Sequence, residues 1–404
     1  MHNVAFLALW IVVFTIPWEN VVVIPGVGAV TRLLGLVAFA AGAATIVTEG
    51  RFRRPGALVL LALCFVLWTG LTLFWTIDYQ TSQTRLETYA QLALFVWLVS
   101  ELAITDARRR QLLQAFVLGS YVCALAIVSN YVSGAALEVG RYSATGANPN
   151  DLGAVLALTI PMAWLLANDR SARTWRRLAN GSYIPAALAA TLLTGSRGAL
   201  IIACLALAVI PLTLSQLGPR SKLLVIVAGG ATAAFALAIV PESTWVRLAS
   251  TSDEITSGTF GNRSAIWQSG LDVFFEHPFT GVGAGAFGTA VAPTLGSARS
   301  AHNAFLAVGV EQGVVGLLLF SSLIVVAIVY SLRAPPSERR LALVLCALLI
   351  VMLLPGSRDD FKPTWFVLGL LGTAPARLMR PNRERVVERR VRPNAAGPHA
   401  PVIP

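Results

Sequence analysis

Long apolar segments recur along the whole chain and are separated by short polar connections. Twelve such runs lie at about 4–22, 30–48, 56–75, 86–104, 111–132, 151–167, 180–194, 198–217, 222–240, 303–332, 341–355 and 363–379. Because a helix needs about 20 largely apolar residues to cross a bilayer, this pattern predicts an all-α polytopic membrane protein with about twelve transmembrane helices. It also predicts four parts: helices 1–9 over residues 1–240, an outer loop at 241–302, helices 10–12 over 303–379, and a disordered basic tail at 380–404.

Composition narrows the class of protein further. The 404 residues are 56% hydrophobic and only 13% charged, whereas soluble proteins are about 25% charged. The four cysteines all lie inside apolar runs, so neither a disulfide framework nor a metal cluster is expected. A soluble enzyme, a secreted disulfide scaffold and a disordered chain are therefore excluded.

Connections rich in basic residues alternate along the chain with connections that carry few of them. One set of connections carries 22 of the 31 Lys and Arg and 7 of the 20 acidic residues, and the other set carries 9 and 13. The positive-inside rule then predicts cytoplasmic termini and a periplasmic loop at 241–302. The net charge of +11 divides into +15 and −4 on the two sides. It reflects topology and attraction to anionic membrane lipids, and no nucleic-acid partner is expected.

The outer loop contains two recognisable segments. The first is a helical pattern from Arg263 to Glu276, in which Ile266, Trp267, Leu271, Phe274 and Phe275 share one face, as in a helix that lies in the membrane interface. The second is the glycine-rich run that follows His277-Pro-Phe. Its literal G-x-G-x-x-G lacks the preceding strand that a dinucleotide site needs, and we expect flexible backbone near a cavity instead.

The tenth apolar run is unusually long. It could form one helix over residues 303–332, but its first turns carry Glu311 and Gln312. Polar groups of this kind are costly in hydrocarbon. We therefore expect that end of the helix to stand above the bilayer or to line a wet cavity.

Three motifs between residues 148 and 316 resemble the O-antigen ligase family. They are His302-Asn303 followed by nine residues and Gly313-Val-Val-Gly316, Arg197-Gly-Ala-Leu200 after an apolar run, and Asn148-Pro-Asn150 at a helix start. The resemblance spans roughly residues 140–330. It implies an inner-membrane glycosyltransferase that transfers an undecaprenyl-diphosphate-linked O-antigen polysaccharide onto lipid A–core at the periplasmic face, in lipopolysaccharide biosynthesis.

Two arginines are the predicted diphosphate-binding residues. Arg197 lies at an outer turn between two apolar runs, and Arg263 opens the interfacial helix. Arginine is always charged, and its paired donors match phosphate oxygens. By itself each could be an ordinary snorkelling arginine, and the family motifs favour the binding role. For Arg141, beside Tyr142, a snorkelling or salt-bridged arginine is the preferred interpretation, and substrate binding or orientation is kept as the alternative.

A sugar hydroxyl is a weak nucleophile that gains from a positioned base. Histidine suits this role because its ordinary pKa is about 6.5. His302 is the predicted catalytic base, because it lies in the family motif, although a lone histidine at a helix start is often only a cap. Asn303 could orient the ring or bind sugar, and His277 is a weaker candidate for the base.

The last outer loop carries the acidic pair Asp359-Asp360. One of these carboxylates is expected to orient His302 or to bind acceptor sugar, unless both are solvated loop charges. The chain contains no D-x-D, the pattern that would supply converging ligands for Mg²⁺. Arginine is expected to replace a metal, and no cofactor is expected because the donor arrives activated.

Other functions stay open at this point. The related classes are an O-antigen or exopolysaccharide polymerase and a protein O-oligosaccharyltransferase. The polymerase pattern of Arg, ten residues and Gly occurs on both sides of the predicted membrane, so it does not separate a polymerase from a ligase. A solute transporter is a different class. It should carry paired ionisable residues at the bilayer midplane, whereas most apolar runs here carry charge only near their ends.

Overall fold

The computed structural model describes residues 2–373 except 20, 22, 25–27, 51–53, 138–140, 145, 214–217, 240–241 and 250–262. Over these residues the fold is helical apart from one short hairpin, which confirms the predicted all-α class. The predicted tail at 380–404 and residues 241 and 250–262 of the predicted outer loop lie outside the described residues.

Sixteen α helices make up the described part of the chain. They are α1 His2–Thr15, α2 Val30–Glu49, α3 Ala57–Thr72, α4 Tyr79–Leu102, α5 Asp106–Val132, α6 Pro149–Ala167, α7 Thr174–Leu193, α8 Arg197–Leu207, α9 Val209–Thr213, α10 Pro219–Ile239, α11 Glu242–Ala249, α12 Arg263–Glu276, α13 Phe287–Leu295, α14 Ala304–Arg333, α15 Pro336–Leu353 and α16 Lys362–Gly372. The hairpin consists of β1 Val23–Ile24 and β2 Gly28–Ala29, with Val23 opposite Ala29 and Ile24 opposite Gly28.

Within the described residues, each predicted apolar run overlaps one α helix, or the pair α8 and α9 in the case of 198–217. Among the described residues, four helical segments are long and apolar enough to cross a membrane: Val30–Thr48, Asp106–Val132, Pro149–Ala167 and Ala304–Arg333. The protein is therefore a multi-pass membrane protein. The number of twelve spans stays a prediction, because several of the other apolar helices are shorter than a bilayer requires.

Short polar side chains begin several of the helices. Asp78 caps α4, Thr105 caps α5, Asn148 caps α6, Ser196 caps α8 and Asn303 caps α14, each by accepting a bond from a backbone N–H of the first turn. The first N–H groups of a helix have no partner within it, so such a side chain fixes where the helix begins. Three of these caps, those of α6, α8 and α14, lie beside the site described below.

Two helices form the centre of the bundle. Residues Leu152–Trp164 of α6 are all buried, and so are Pro363–Leu371 of α16. Aromatic rings fill the space around α16: Phe366 stacks on Phe116 with ring centroids 4.9 Å apart, and Trp365 packs near Tyr89. Because both helices are held on all sides, the residues at their first turns are fixed in place as well.

The ion pairs of the described residues lie in two groups, one at each end of the molecule. One end holds Arg358–Asp151, Arg85–Asp359, Arg85–Asp360 and Lys362–Glu19, and the other holds Arg109–Glu338, Arg109–Asp106 and Arg110–Asp169. We call the first the His302 end and the second the Arg109 end. Connections assigned to the same side by their charge meet at the same end. Which end faces the periplasm stays a prediction.

Candidate functional site

The start of α14 places His302 in an unusual backbone conformation. Asn303 is the N-cap, and its Oδ1 accepts bonds from the N–H groups of Phe305 at 3.0 Å and Leu306 at 3.1 Å. The helix cap is thus Asn303 rather than His302. His302 has φ 49°, and no other non-glycine residue in the described part of the chain has a positive φ. Such strain persists only where surrounding structure enforces it, and it clusters at functional sites.

Three charged side chains from three other segments act on His302. They are Arg263 at the start of α12, Arg358 in the loop before α16, and Asp151 in the first turn of α6. Partial burial and the two arginines lower the pKa of His302 below its ordinary value, and Asp151 opposes them. The imidazole is therefore held in its neutral form, which is the form that can accept a proton.

Helix α12 is fixed next to His302 by its tryptophan. Trp267 donates from Nε1 to the carbonyl oxygen of Ala301 at 2.9 Å. Arg263 lies four residues before Trp267 on the same side of the helix. This bond holds the start of α12 beside the residue that precedes His302, which accounts for the electrostatic effect of Arg263 on the imidazole.

Only part of the apolar face predicted for α12 packs against the rest of the protein. The buried residues of this helix are Ser269 and Gly270, and Gly270 lies against Phe287 and Leu306. Leu271 and Phe275, expected on the apolar face, are 41% and 72% exposed. Small residues therefore set the contact with the protein, and two large apolar side chains stay on the surface.

Arg358 is the best-fixed cation of the site. Its side chain is 6% exposed and donates from Nε to Asp151 Oδ1 at 3.0 Å and from Nη2 to the carbonyl oxygen of Asn150 at 3.1 Å. Nη1 donates to the carbonyl oxygen of Met352 at 2.8 Å. A buried charge needs several partners of this kind, and here they attach the last outer loop to the start of α6.

The turn that precedes Arg197 is joined to the same place. Arg141 is buried, and it donates from Nε to the carbonyl oxygen of Thr194 at 3.3 Å and from Nη2 to Asn150 Oδ1 at 3.0 Å. It therefore connects the start of α8 to the start of α6. Arg141 is not a snorkelling side chain, because its contacts are made inside the protein.

Asp359 and Asp360 bind α4. Asp359 is 1% exposed, and its Oδ2 accepts from Tyr89 Oη at 2.5 Å and from Arg85 Nη1 at 3.2 Å. Asp360 Oδ2 lies 2.6 Å from the same Arg85 Nη1. Burial and the neighbouring Asp359 raise the pKa of Asp360 to about 6, against the opposing effect of Arg85. Asp359 thus anchors the loop that presents Arg358, a structural contact that was not expected.

The glycine-rich run is a docked segment rather than flexible backbone. Val282 and Gly283 donate from their N–H groups to the carbonyl oxygens of Val310 and Glu311 at 3.0 and 2.8 Å. These carbonyls are available because α14 is broken at Gly313, where φ is 65° and ψ −169°. Only glycine adopts this conformation readily, and a Cβ at Gly313 would overlap the carbonyl oxygen of Phe279.

The same break accounts for the two polar residues of the long helix. Glu311 and Gln312 are buried inside the protein, at 3% and 0% exposure. Gln312 accepts from Thr69 Oγ1 at Oε1, at 3.0 Å, and from Trp68 Nε1 at its carbonyl oxygen, at 2.9 Å. The G-x-x-G of the motif therefore serves packing between α14, α3 and the docked segment.

His277 lies away from His302. Its helix ends at Glu276, the side chain is exposed, and the next residue, Pro278, accepts at its carbonyl oxygen from Val314 N–H at 2.7 Å. Val314 lies ten residues into α14, about 15 Å along the helix from its start. The structure thus brings together His302, Arg263, Arg358 and Asp151, joins the Arg197 turn to them through Arg141, and leaves His277 outside.

Sequence reasoning missed Asp151 and Arg85 and gave Arg358 no role. Asp151 directly follows the Asn148-Pro-Asn150 motif, so the motif was a usable signal for it. Arg85 is one of only nine basic residues in the predicted outer connections. Arg358 carried no sequence signal of its own beyond its position directly before the acidic pair Asp359-Asp360.

Residues 184–321 match the family model described as O-antigen ligase. No curated protein matches the chain. The matched segment contains Arg197, Arg263, His302, Asn303 and the glycines of the broken helix, and it leaves Arg141 and Arg358–Asp360 outside. The chain is therefore a multi-pass membrane protein whose residues 184–321 are similar to the O-antigen ligase family, as its motifs predicted.

Proposed function

We propose that the protein is an O-antigen ligase that transfers a polysaccharide from undecaprenyl diphosphate onto lipid A–core. The observation that carries this proposal is the arrangement at one end of the bundle, where Arg263, Arg358 and Asp151 act on the half-buried His302. Membrane glycosyltransferases of the ligase and polymerase type need such a combination, because they must activate a sugar hydroxyl and also stabilise a leaving diphosphate.

The reaction is a single displacement. The hydroxyl oxygen of the acceptor attacks C1 of the donor sugar, the bond from C1 to the diphosphate oxygen breaks, and the diphosphate leaves with the electron pair. His302 takes the hydroxyl proton, since its neutral form is available near pH 7. Attack from the face opposite the leaving group inverts the configuration at C1.

Arg197 and Arg263 hold the diphosphate. They begin two helices, α8 and α12. The contacts described above bring the starts of both helices near the start of α6. Guanidinium groups aimed at the leaving oxygen stabilise charge that grows in the transition state. Arg358 adds positive potential, although its own donors are engaged by Asp151 and backbone carbonyls.

These cations replace a metal in the proposed mechanism, and no cofactor takes part. The acidic pair nearest the site, Asp359 and Asp360, is engaged by Arg85. Activity should therefore persist in EDTA. Loss of activity that Mg²⁺ restores would contradict the metal-independent mechanism.

The His302 end is proposed to face the periplasm, with both termini cytoplasmic in the inner membrane. Ser297→Cys and Ser171→Cys place thiols at exposed positions of the two ends. A membrane-impermeant maleimide added to intact spheroplasts should label the first variant and not the second. The reverse labelling would place the site on the cytoplasmic side.

One reconstitution assay tests the reaction itself. The purified protein is mixed with lipid-diphosphate-linked glycan and either rough lipopolysaccharide, a Ser- and Thr-containing acceptor protein, or no acceptor. Glycan-capped lipid A–core identifies the ligase. Lengthened donor identifies a polymerase, glycosylated protein identifies an oligosaccharyltransferase, and solute flux into vesicles without transfer identifies a transporter; each of these outcomes overturns the proposal.

A further inference from the structure

A cavity of about 450 Å³ lies between α1, α2 and α4, beneath the loop that carries Asp360. This volume is within the usual range for ligand sites, about 300–1,000 Å³. The α4 side chains that line it extend from Thr88 to Leu98, a length of roughly 15 Å along the helix axis. The cavity is therefore long as well as large.

The deeper part of the cavity is apolar and opens sideways. Leu9, Phe39, Phe95 and Leu98 line it. Leu36 and Leu94 also line it, although they are 62% and 37% exposed on the outer surface of the bundle. A groove with walls of this kind in a membrane protein admits a hydrocarbon chain directly from the lipid.

The other end of the cavity is polar and belongs to the His302 end. It is bordered by the exposed Arg32, by Thr88 and Gln91 of α4, and by Asp360. Arginine binds phosphate oxygens, while the amide, the hydroxyl and the carboxylate suit sugar hydroxyls. The opening thus matches a headgroup that carries both phosphate and sugar.

We propose that this cavity binds the acceptor lipid, a phosphoglycolipid, with an acyl chain between α2 and α4 and its sugars at Asp360. The proposal rests on the proposed function, since it assigns one of the two substrates of that reaction.

The position of the loop before α16 separates the acceptor from the donor. Arg358 bonds to Asn150 and Asp151 at the start of α6, whereas Asp360 pairs with Arg85 and lines the cavity. Both substrates are large lipids whose reacting atoms must meet at His302. Approach from opposite sides of this one loop lets both chains remain in the membrane.

Gly35 offers a way to block the cavity without disturbing packing. It lines the cavity, and a Cβ added there meets nothing within 4 Å. Gly35→Phe places a ring in the groove, and Gly35→Ala is the small control at the same position. Val37→Phe is the matched control, because Val37 is 59% exposed on the same helix and does not line the cavity.

In the transfer assay, Gly35→Phe should raise KM for rough lipopolysaccharide by about tenfold or more, the size of effect expected when one binding contact is lost. KM for the lipid-diphosphate donor should stay unchanged, as should both constants in Gly35→Ala and Val37→Phe. An unchanged acceptor KM overturns the proposal. A raised donor KM assigns the cavity to the polyprenyl chain and overturns it as well.

A binding measurement does not depend on transfer. Rough lipopolysaccharide with a diazirine in an acyl chain is photolysed with the full-length protein in phosphatidylethanolamine nanodiscs, and the adducts are mapped by mass spectrometry. Adducts on the cavity helices that excess rough lipopolysaccharide removes, and phosphatidylglycerol does not, support the site. If these adducts form but the protein has no transfer activity, the ligase function is refuted and the binding site is retained. Equal competition by phosphatidylglycerol, or adducts elsewhere, refutes the site.

Discussion

The two ends of the bundle use the same types of charged residue with different partners. At the Arg109 end, Arg109 is 13% exposed and pairs with Glu338 at 3.1 Å and with Asp106 at 2.6 Å, and the acids are 35% and 59% exposed. At the His302 end, Arg358 is 6% exposed and bonds to Asp151, which is 37% exposed, and to two backbone carbonyls. Both arginines are mostly buried, and a buried cation depends on every partner it has.

The two ends differ in the charge around a histidine. Arg263 and Arg358 both act on His302, and Asp151 opposes them there. Such a surplus of positive charge beside a neutral base suits an anionic substrate. The one described histidine outside 277–302 is His2, at the start of α1. The comparison teaches that local imbalance of charge, rather than burial or the number of ion pairs, distinguishes a candidate site.

The largest expected effect comes from His302. His302→Asn should lower the turnover rate on the order of 10² to 10⁴-fold, the usual contribution of a general base. Asparagine tolerates the left-handed backbone that His302 adopts, and Asn303 still caps α14, so the fold should be kept. Rates at saturating donor and acceptor measure the effect. Wild-type turnover would show that the base must be sought elsewhere.

The next effect concerns the arginines of the proposed diphosphate site. Arg197→Ala and Arg263→Ala should each reduce kcat/KM by roughly 10² to 10³-fold, as when a donor to a developing charge is removed. Lysine should restore only part of the activity, because it lacks paired donors. Membrane abundance, measured by immunoblot, should not change. Full activity in Arg197→Ala would remove that residue from the site.

A smaller effect, on stability, is expected where α14 is broken. Gly313→Ala should lower the free energy of unfolding by about 1–3 kcal/mol, because its Cβ would overlap Phe279 and its φ is positive. The matched control is Gly309→Ala, whose Cβ would meet Phe274 at an ordinary 3.6 Å. Thermal denaturation in detergent should separate the two variants. Equal melting temperatures would argue against the broken helix.

A modest shift in pH dependence should follow from Asp151→Asn. The neutral base exists above the pKa of His302, so activity falls as the pH drops through that lowered value. Asp151 raises the pKa of His302, and its removal should move the acidic limb to lower pH. The profile of kcat/KM between about pH 5 and 8 measures this. Arg263→Lys keeps the positive charge and should leave the limb in place; a limb that moves upward in Asp151→Asn contradicts the arrangement.

The smallest effect is expected at the Arg109 end. Arg109→Ala should change the free energy of unfolding by about 1 kcal/mol or less, since its carboxylate partners are partly exposed. Transfer activity should be that of the unchanged protein. A loss comparable to that of Arg263→Ala would remove the functional distinction between the two ends.

Several features of the protein follow from local sequence alone. The apolar runs predicted where the helices lie, since a helix in a bilayer must be apolar over its whole length. Short polar residues mark where helices begin, as Asn148, Ser196 and Asn303 do. The motifs also indicated His302 and Arg197, and the helical pattern of 263–276 indicated Arg263 as its first residue. These are short patterns that need no knowledge of the fold.

Only the tertiary structure decided which residues meet. Arg358 and Asp151 are far apart in the chain and are joined because the loop between α15 and α16 lies against the first turn of α6. The docked glycine-rich run likewise depends on a helix break that supplies free carbonyls 28 residues later. Periodicity describes what one segment does with its own backbone, whereas these contacts depend on how separate helices fill space together.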